Sequence, residues 1–153
     1  MPRYWQDIQP GEQFTTALAS LSKQDILEFA AEFDPQPYHL DSEAAEASIF
    51  GGLCASGWQV SAIMMRLLTD ALHQQEIPVI GMSSVPKMRW KKPVFAGDTL
   101  SAEITVKGRE ATARQPGAGS LDLDVRVFNQ AQEPVIELAT RLMIALGANA
   151  NVA

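Results

Sequence analysis

The sequence predicts an α+β fold in which one curved antiparallel sheet wraps a long, mostly apolar helix. Three observations carry that prediction. Residues 56–72, "SGWQVSAIMMRLLTDAL", show a helical pattern whose apolar side is too broad for an ordinary surface helix. The later segments 100–107 and 121–128 alternate apolar and polar residues with period two, the signature of half-buried strands. At 153 residues the chain is long enough for one full core and short for two ordinary domains, so a single domain over residues 1–153 is expected.

The elements follow in order. Residues 22–31, "SKQDILEFAA", begin with an N-cap serine and place Ile26, Leu27, Phe29 and Ala30 toward one side, which predicts a helix. Pro35 and Pro37 end it, because each lacks an N–H and each biases its predecessor away from the helical region. His39 is therefore expected in a rigid, extended loop. A short helix at 42–47 follows, and Gly51 and Gly52 break the pattern. In the long helix Gln59, Arg66 and Asp70 form a narrow polar stripe, while Trp58, Val60, Ile63, Met64, Leu67 and Leu68 cover the rest, so it must be wrapped on most sides. Residues 79–90, 100–107, 121–128 and 135–146 read as long strands. The connectors "FAGD" (95–98), "QPGAGS" (115–120) and "NQAQEP" (129–134) read as hairpin-type loops. A parallel sheet would need crossover helices for which there is no room. An antiparallel sheet curled around one buried helix is a hot-dog architecture. Residues 147–153, "GANANVA", are expected to fray.

Composition excludes several function classes. A net charge of −6 argues against broad binding to nucleic acid or to an anionic membrane surface, both of which rest on surplus Lys and Arg. The start "MPRYWQDIQPGEQF" has no apolar run after a basic one, and no segment reaches the length of apolar chain that a membrane span needs. The cytoplasm is the default expectation. One cysteine, Cys54, excludes an internal disulfide; with His39 and His73 as the only histidines, a structural zinc site lacks ligands and no metal is expected.

Chemistry is concentrated in three places. In "FDPQPYHLD" (33–41), Asp34 and His39 lie five apart with two prolines between them, so a carboxylate and an imidazole can converge on one point. These are the groups suited to acid and base work near neutral pH. The plain alternative is a helix-ending turn with a packing histidine. In "FGGLCASGW" (50–58), glycines precede the long helix, whose free first-turn N–H groups suit a developing oxyanion, and Gly57 is the favoured donor. The same glycines could merely turn the chain. Cys54 as a nucleophile is the weaker reading, since small buried cysteines are usually inert, and His73 is expected at the surface. In "KMRWKK" (87–92), strand alternation puts Lys87, Arg89 and Lys91 on one face, either an anchor for phosphates or a solvated strand face.

Taken together, "FAAEFDPQPYHLD", "FGGLCASGW" and "KMRWKKPVFAGDTL" resemble the MaoC-like dehydratase family, relatives of the (R)-specific, type 2 enoyl-CoA hydratases. The resemblance runs from about residue 6 to 146. Asp34, Pro37 and His39 match the family's Asp-x-Asn-Pro-x-His motif, and Pro93, Val94, Gly97 and Asp98 match its PV..GD turn. The resemblance implies a hot-dog fold, dimers with a continuous sheet, and addition or removal of water across the 2,3 double bond of a trans-2-enoyl thioester. It also implies that no cofactor is used and that coenzyme A is part of the substrate. Asp34 would be the principal base, His39 would hold the water, and the Gly57 N–H would bind the thioester oxygen. Gly52, Ser56, Lys87, Arg89 and Lys91 would contact substrate. The chain departs from the pattern at Gln36, where the motif has asparagine. It departs again at Ser56, where many hydratases have histidine, and at Ala62, where they have a serine that here stands one position earlier as Ser61. The rival readings are an acyl-CoA thioesterase and a non-catalytic acyl-thioester-binding protein. Residues 135–146, apolar on parts of both faces, further predict at least a dimer.

Overall fold

The structure, a computed structural model, describes residues 1–112 and 116–147. A 3-10 turn at Trp5–Asp7 leads to β1 (Gln13–Thr15) and β2 (Ala19–Ser20). Helices α1 (Lys23–Phe33), α2 (Pro37–Leu40), α3 (Ser42–Glu46) and α4 (Gly57–Gln74) follow. Four long strands complete the chain: β3 (Val79–Trp90), β4 (Thr99–Ala111), β5 (Ala118–Phe128) and β6 (Pro134–Ala145). The sheet order is β1-β4-β5-β6-β3, with β2 also on β4, and every pairing is antiparallel. This is the hot-dog fold. Gln115 of the expected 115–120 connector and residues 148–153 of the expected frayed tail lie outside the described residues.

Register explains which side chains face the helix. Directly paired residues of an antiparallel sheet share a face, so Ala102, Val127, Ile136 and Trp90 form one inner row and Ile104, Val125, Leu138 and Met88 the next. Apart from the partly exposed Trp90, these rows share one core with Val60, Met64, Leu68 and Leu72 of α4. Leu68 is 1% exposed, and truncating such a side chain to alanine costs about 2–5 kcal/mol. The intervening outer rows are polar. Glu103, Arg126, Glu137 and Arg89 stand side by side across four strands, alternating in sign.

Several expectations need correction. The 95–98 turn does not close a hairpin, because β3 and β4 are separated by β5 and β6; the 91–98 segment instead crosses from one side of the sheet to the other. The two short strands β1 and β2 have too few residues to show a period. In α4, Trp58 is 61% exposed while Gln59 is buried, its Nε2 donating to Asp25 O at 2.9 Å. The expected polar stripe lies one residue too far round because a glutamine with a backbone partner can be buried. Finally, β6 lies between β5 and β3 with its inward residues Ile136, Leu138, Leu142 and Ile144 buried, whereas the uncovered apolar surface belongs to the edge strand β3, with Val79, Ile80, Met82 and Val85 all exposed.

Candidate active site

His39 does not sit in an extended loop. It belongs to α2, a four-residue helix whose N1 position is Pro37, and proline suits N1 because that N–H has no helical partner to lose. Gln36 is extended (φ −81°, ψ 143°), as a residue before proline prefers, and serves as N-cap without a side-chain bond to the helix. The first proline region therefore ends α1 at Phe33, and the second starts α2. Asp34 is the C-cap of α1, its N–H donating to Ala30 O at 2.9 Å, which aims its carboxylate away from the helix toward His39.

The imidazole is locked from one side. Nδ1 lies 2.7 Å from Cys54 O, and a carbonyl only accepts, so Nδ1 carries the proton and donates it. In the neutral ring Nε2 is then an open acceptor. It faces Asp34 Oδ2 at 3.5 Å, with the His39 side chain 7% exposed and the Asp34 side chain 27% exposed. Two acceptors at that distance make no direct hydrogen bond, but both can receive one from the same small donor.

The segment that receives His39 also carries the helix start. Ala55 N–H donates to Val94 O at 2.8 Å, and Cys54 bridges Phe95, so the 93–98 turn braces this segment. Its own conformation is fixed locally, since Gly97 has φ +89° and the Asp98 carboxylate accepts the Phe95 N–H at 2.9 Å. Ser56 is fully buried and caps α4, its Oγ accepting the Trp58 N–H and its carbonyl the Val60 N–H. Among the described residues nothing bonds the Gly57 N–H, which remains a donor at the positive end of an 18-residue helix. Position 57 must be glycine for a packing reason as well: a Cβ there would lie 2.8 Å from Trp90 Nε1.

These groups open onto one cleft of about 440 Å³ whose lining includes Asp34, His39, Cys54, Gly57, Trp58 and Trp90, with Lys91 and Lys92 beside them. Sequence reasoning missed four lining aromatics: Tyr38, Phe50 and Trp90 carry no spacing signal, and Trp58 was expected in the apolar cover of the long helix. It also left out Lys92. Other expected contacts fall elsewhere. Gly52 stands in ordinary contact with the Phe95 ring, 3.6 Å from its would-be Cβ, and Ser56 is occupied by capping. Lys87 and Arg89 point to the outer face, paired in register with Ala139 and Glu137, so they do not line the cleft. Lys87 and Lys91 both approach Glu137, at 3.5 and 3.7 Å, and Lys92 pairs with Glu133. Ser61 does not reach Asp34; its Oγ donates to Gly57 O at 2.8 Å. Cys54 lines the cleft, yet burial pushes its thiol above the usual range, and the nearest imidazole nitrogen, 3.8 Å away, is the protonated Nδ1. That leaves no base to make it a nucleophile.

Comparison with known proteins agrees with this geometry. The family model described as "MaoC like domain" matches residues 7–126. The chain is 33% identical over 128 residues to YdeM of Bacillus subtilis (strain 168), covering 83% of this chain and 88% of that one. It is 28% identical over 106 residues to the (R)-specific enoyl-CoA hydratase of Rhodospirillum rubrum, covering 69% of this chain and 70% of that enzyme. Among solved structures, the MaoC-like dehydratase from Rhodospirillum rubrum superposes with a TM-score of 0.83 at 35% identity over 94% of this chain and 97% of that one. With its Asp34–His39 pair, its braced helix start and these matches, the chain belongs to the MaoC-like dehydratase family.

Proposed function

We propose that the protein is a hydro-lyase that adds water across the 2,3 double bond of an enoyl thioester, giving the 3-hydroxyacyl thioester, and catalyses the reverse. The observation that carries this reading is the convergence of His39 Nε2 and Asp34 Oδ2, 3.5 Å apart, beside an unbonded helix N-terminal N–H. One water donating a proton to each acceptor presents its lone pairs outward, toward C3 of a bound substrate. Asp34 is the principal base, and His39, its ring fixed through Nδ1, holds the same water and shares the proton traffic. As the C3–O bond forms, the double-bond electrons move toward the thioester carbonyl, whose developing charge the Gly57 N–H stabilises. The proton taken from water returns to C2, so the elements of water are added and no redox change occurs. Coenzyme A enters as part of the substrate and no cofactor takes part in the step.

A thioesterase would release a thiol, and a non-catalytic binder would do neither. Purified protein with crotonyl-CoA should therefore lose enoyl absorbance without releasing thiol; thiol release, or no change with any acyl length, defeats the proposal. The same reading makes the protein a dimer joined along β3. This edge strand is 12 residues long, exposes apolar side chains, and offers unpaired backbone groups to a second copy. Sedimentation at micromolar concentration should show the dimer, and a stable monomer contradicts it. No helix among the described residues is long and apolar enough to cross a membrane, and a cytoplasmic location is part of the proposal.

A further inference from the structure

The wall of the cleft contains a device that the hydration step itself does not require. Along α4, Gly57, Ser61, Met65, Leu68 and Leu72 follow one another at steps of three or four residues and so form one stripe. At the start of the stripe, Gly57 and Ser61 meet Trp90 and Met88. At its far end, Met65, Leu68 and Leu72 line a second, largely apolar cavity of about 320 Å³ together with Val79, Ile80 and Met82. Helix α4 and strand β3 thus run antiparallel along one seam, with the candidate active site at one end and an apolar cavity at the other.

Trp90, Ser61 and Met88 interrupt this seam. Trp90 Nε1 donates to Gly57 O at 2.8 Å and approaches Ser61 Oγ at 3.2 Å, while Ser61 Oγ lies 3.7 Å from Met88 Sδ. Trp58 braces the indole edge-on, with ring centroids 5.1 Å apart and planes at 78°. An acyl tail passing from the cleft into the seam must displace the indole, losing its hydrogen bonds and the aromatic pair together.

We propose that Trp90 is a specificity-determining residue: its latch on Gly57 and Ser61 closes the seam, confines the acyl group to the cleft, and makes short-chain enoyl thioesters the substrates. The inference rests on the thioester reading above and adds to it the class of acyl group. Since a single misfitting methylene already costs roughly tenfold or more, the closed seam should discriminate strongly against long tails.

The test compares kcat/KM for crotonyl-CoA and trans-2-dodecenoyl-CoA. Wild type should favour the four-carbon substrate by about 100-fold or more. Trp90→Leu should narrow that ratio by about tenfold or more, and adding Met65→Trp, which fills the far cavity, should restore it. Trp90→Phe, lacking the donor but keeping a ring, should shift the ratio in the same direction and serves if the leucine variant does not fold. A wild type that uses both substrates equally, or variants that leave the ratio unchanged, overturn the latch. Binding of butyryl-CoA and dodecanoyl-CoA, measured by calorimetry on the same proteins, separates the two readings. If no enoyl thioester is hydrated, the hydro-lyase reading fails while the binding ratio still judges Trp90. Binding of neither saturated thioester overturns both.

Discussion

Asp34 and His39, beside the start of α4, and the Lys87 and Arg89 face on the other side of the sheet are both compact groups of ionisable side chains. They differ in how their bonding capacity is used. On the outer face the charges are matched: Arg89 registers with Glu137, which Lys87 and Lys91 also approach, and Glu137 registers with Arg126. Nearby, Arg141 is held above its usual range by hydrogen bonds to Asp122 and by Glu110. Such a ladder holds the sheet's solvent side in register and has little left to offer a ligand. At the cleft, His39 uses one nitrogen on Cys54 O and leaves the other facing a carboxylate at a distance that neither can close. Capacity left open in a half-buried place marks the site better than density of charge.

The largest effects should come from the cleft. Asp34→Asn and His39→Ala should each lower kcat about 100-fold or more with the fold intact by circular dichroism, the scale for losing a positioned acid or base; near-normal turnover in either removes the assignment. The buried thiol of Cys54 gives the next contrast. Because burial raises its pKa, less thiolate is present at any given pH, and native protein at pH 8 should react with iodoacetamide about tenfold or more slowly than the same protein in guanidinium. Equal rates would show the thiol to be accessible and ionised after all.

The lysines divide along the same line. Lys91→Ala with Lys92→Ala should raise KM for a CoA thioester by roughly 0.5–1.5 kcal/mol in kcat/KM, reduced because both side chains are nearly half exposed. A thioester lacking the nucleotide should show no such change. Lys87→Ala with Arg89→Ala should leave kinetics alone and change stability by at most about 0.5 kcal/mol; a KM effect as large as that of the 91–92 pair would put the outer face back in the binding site. The smallest prediction concerns Gln36, an N-cap without a cap bond. Gln36→Asn should stabilise the protein by about 0.5–1 kcal/mol in chemical denaturation, since asparagine reaches the first-turn N–H groups that glutamine does not.

Helix α1 and its Ser22 cap, α4 and the four long strands were legible in the sequence because each repeats its period several times. Among short elements only α3, expected at 42–47 and found at Ser42–Glu46, was legible. Helix α2 is hidden because proline, read as a breaker, is also a good first residue, and β1 and β2 are too brief to show alternation. The pairing of Asp34 with His39 could be suspected from spacing, but the tautomer of His39 depends on Cys54 O, 15 residues away, which no local pattern announces. Strand alternation correctly put Lys87 and Arg89 on one face. Which face that is depends on the partner strand, through the register of Arg89 with Glu137. Trp90 escaped notice for the same reason: its meaning lies in contact with Gly57, 33 residues earlier.

The central claim is that Asp34 and His39 work as one unit on one water. A double-mutant cycle on kcat with crotonyl-CoA, built from Asp34→Asn, His39→Ala and the pair, tests it directly. If the two groups share a water, the first loss already disables the unit, and the double mutant should be no more than about threefold slower than the slower single mutant. Losses that multiply, so that the double mutant is slower by the product of the two single effects, would mean that Asp34 and His39 act independently and would contradict the account.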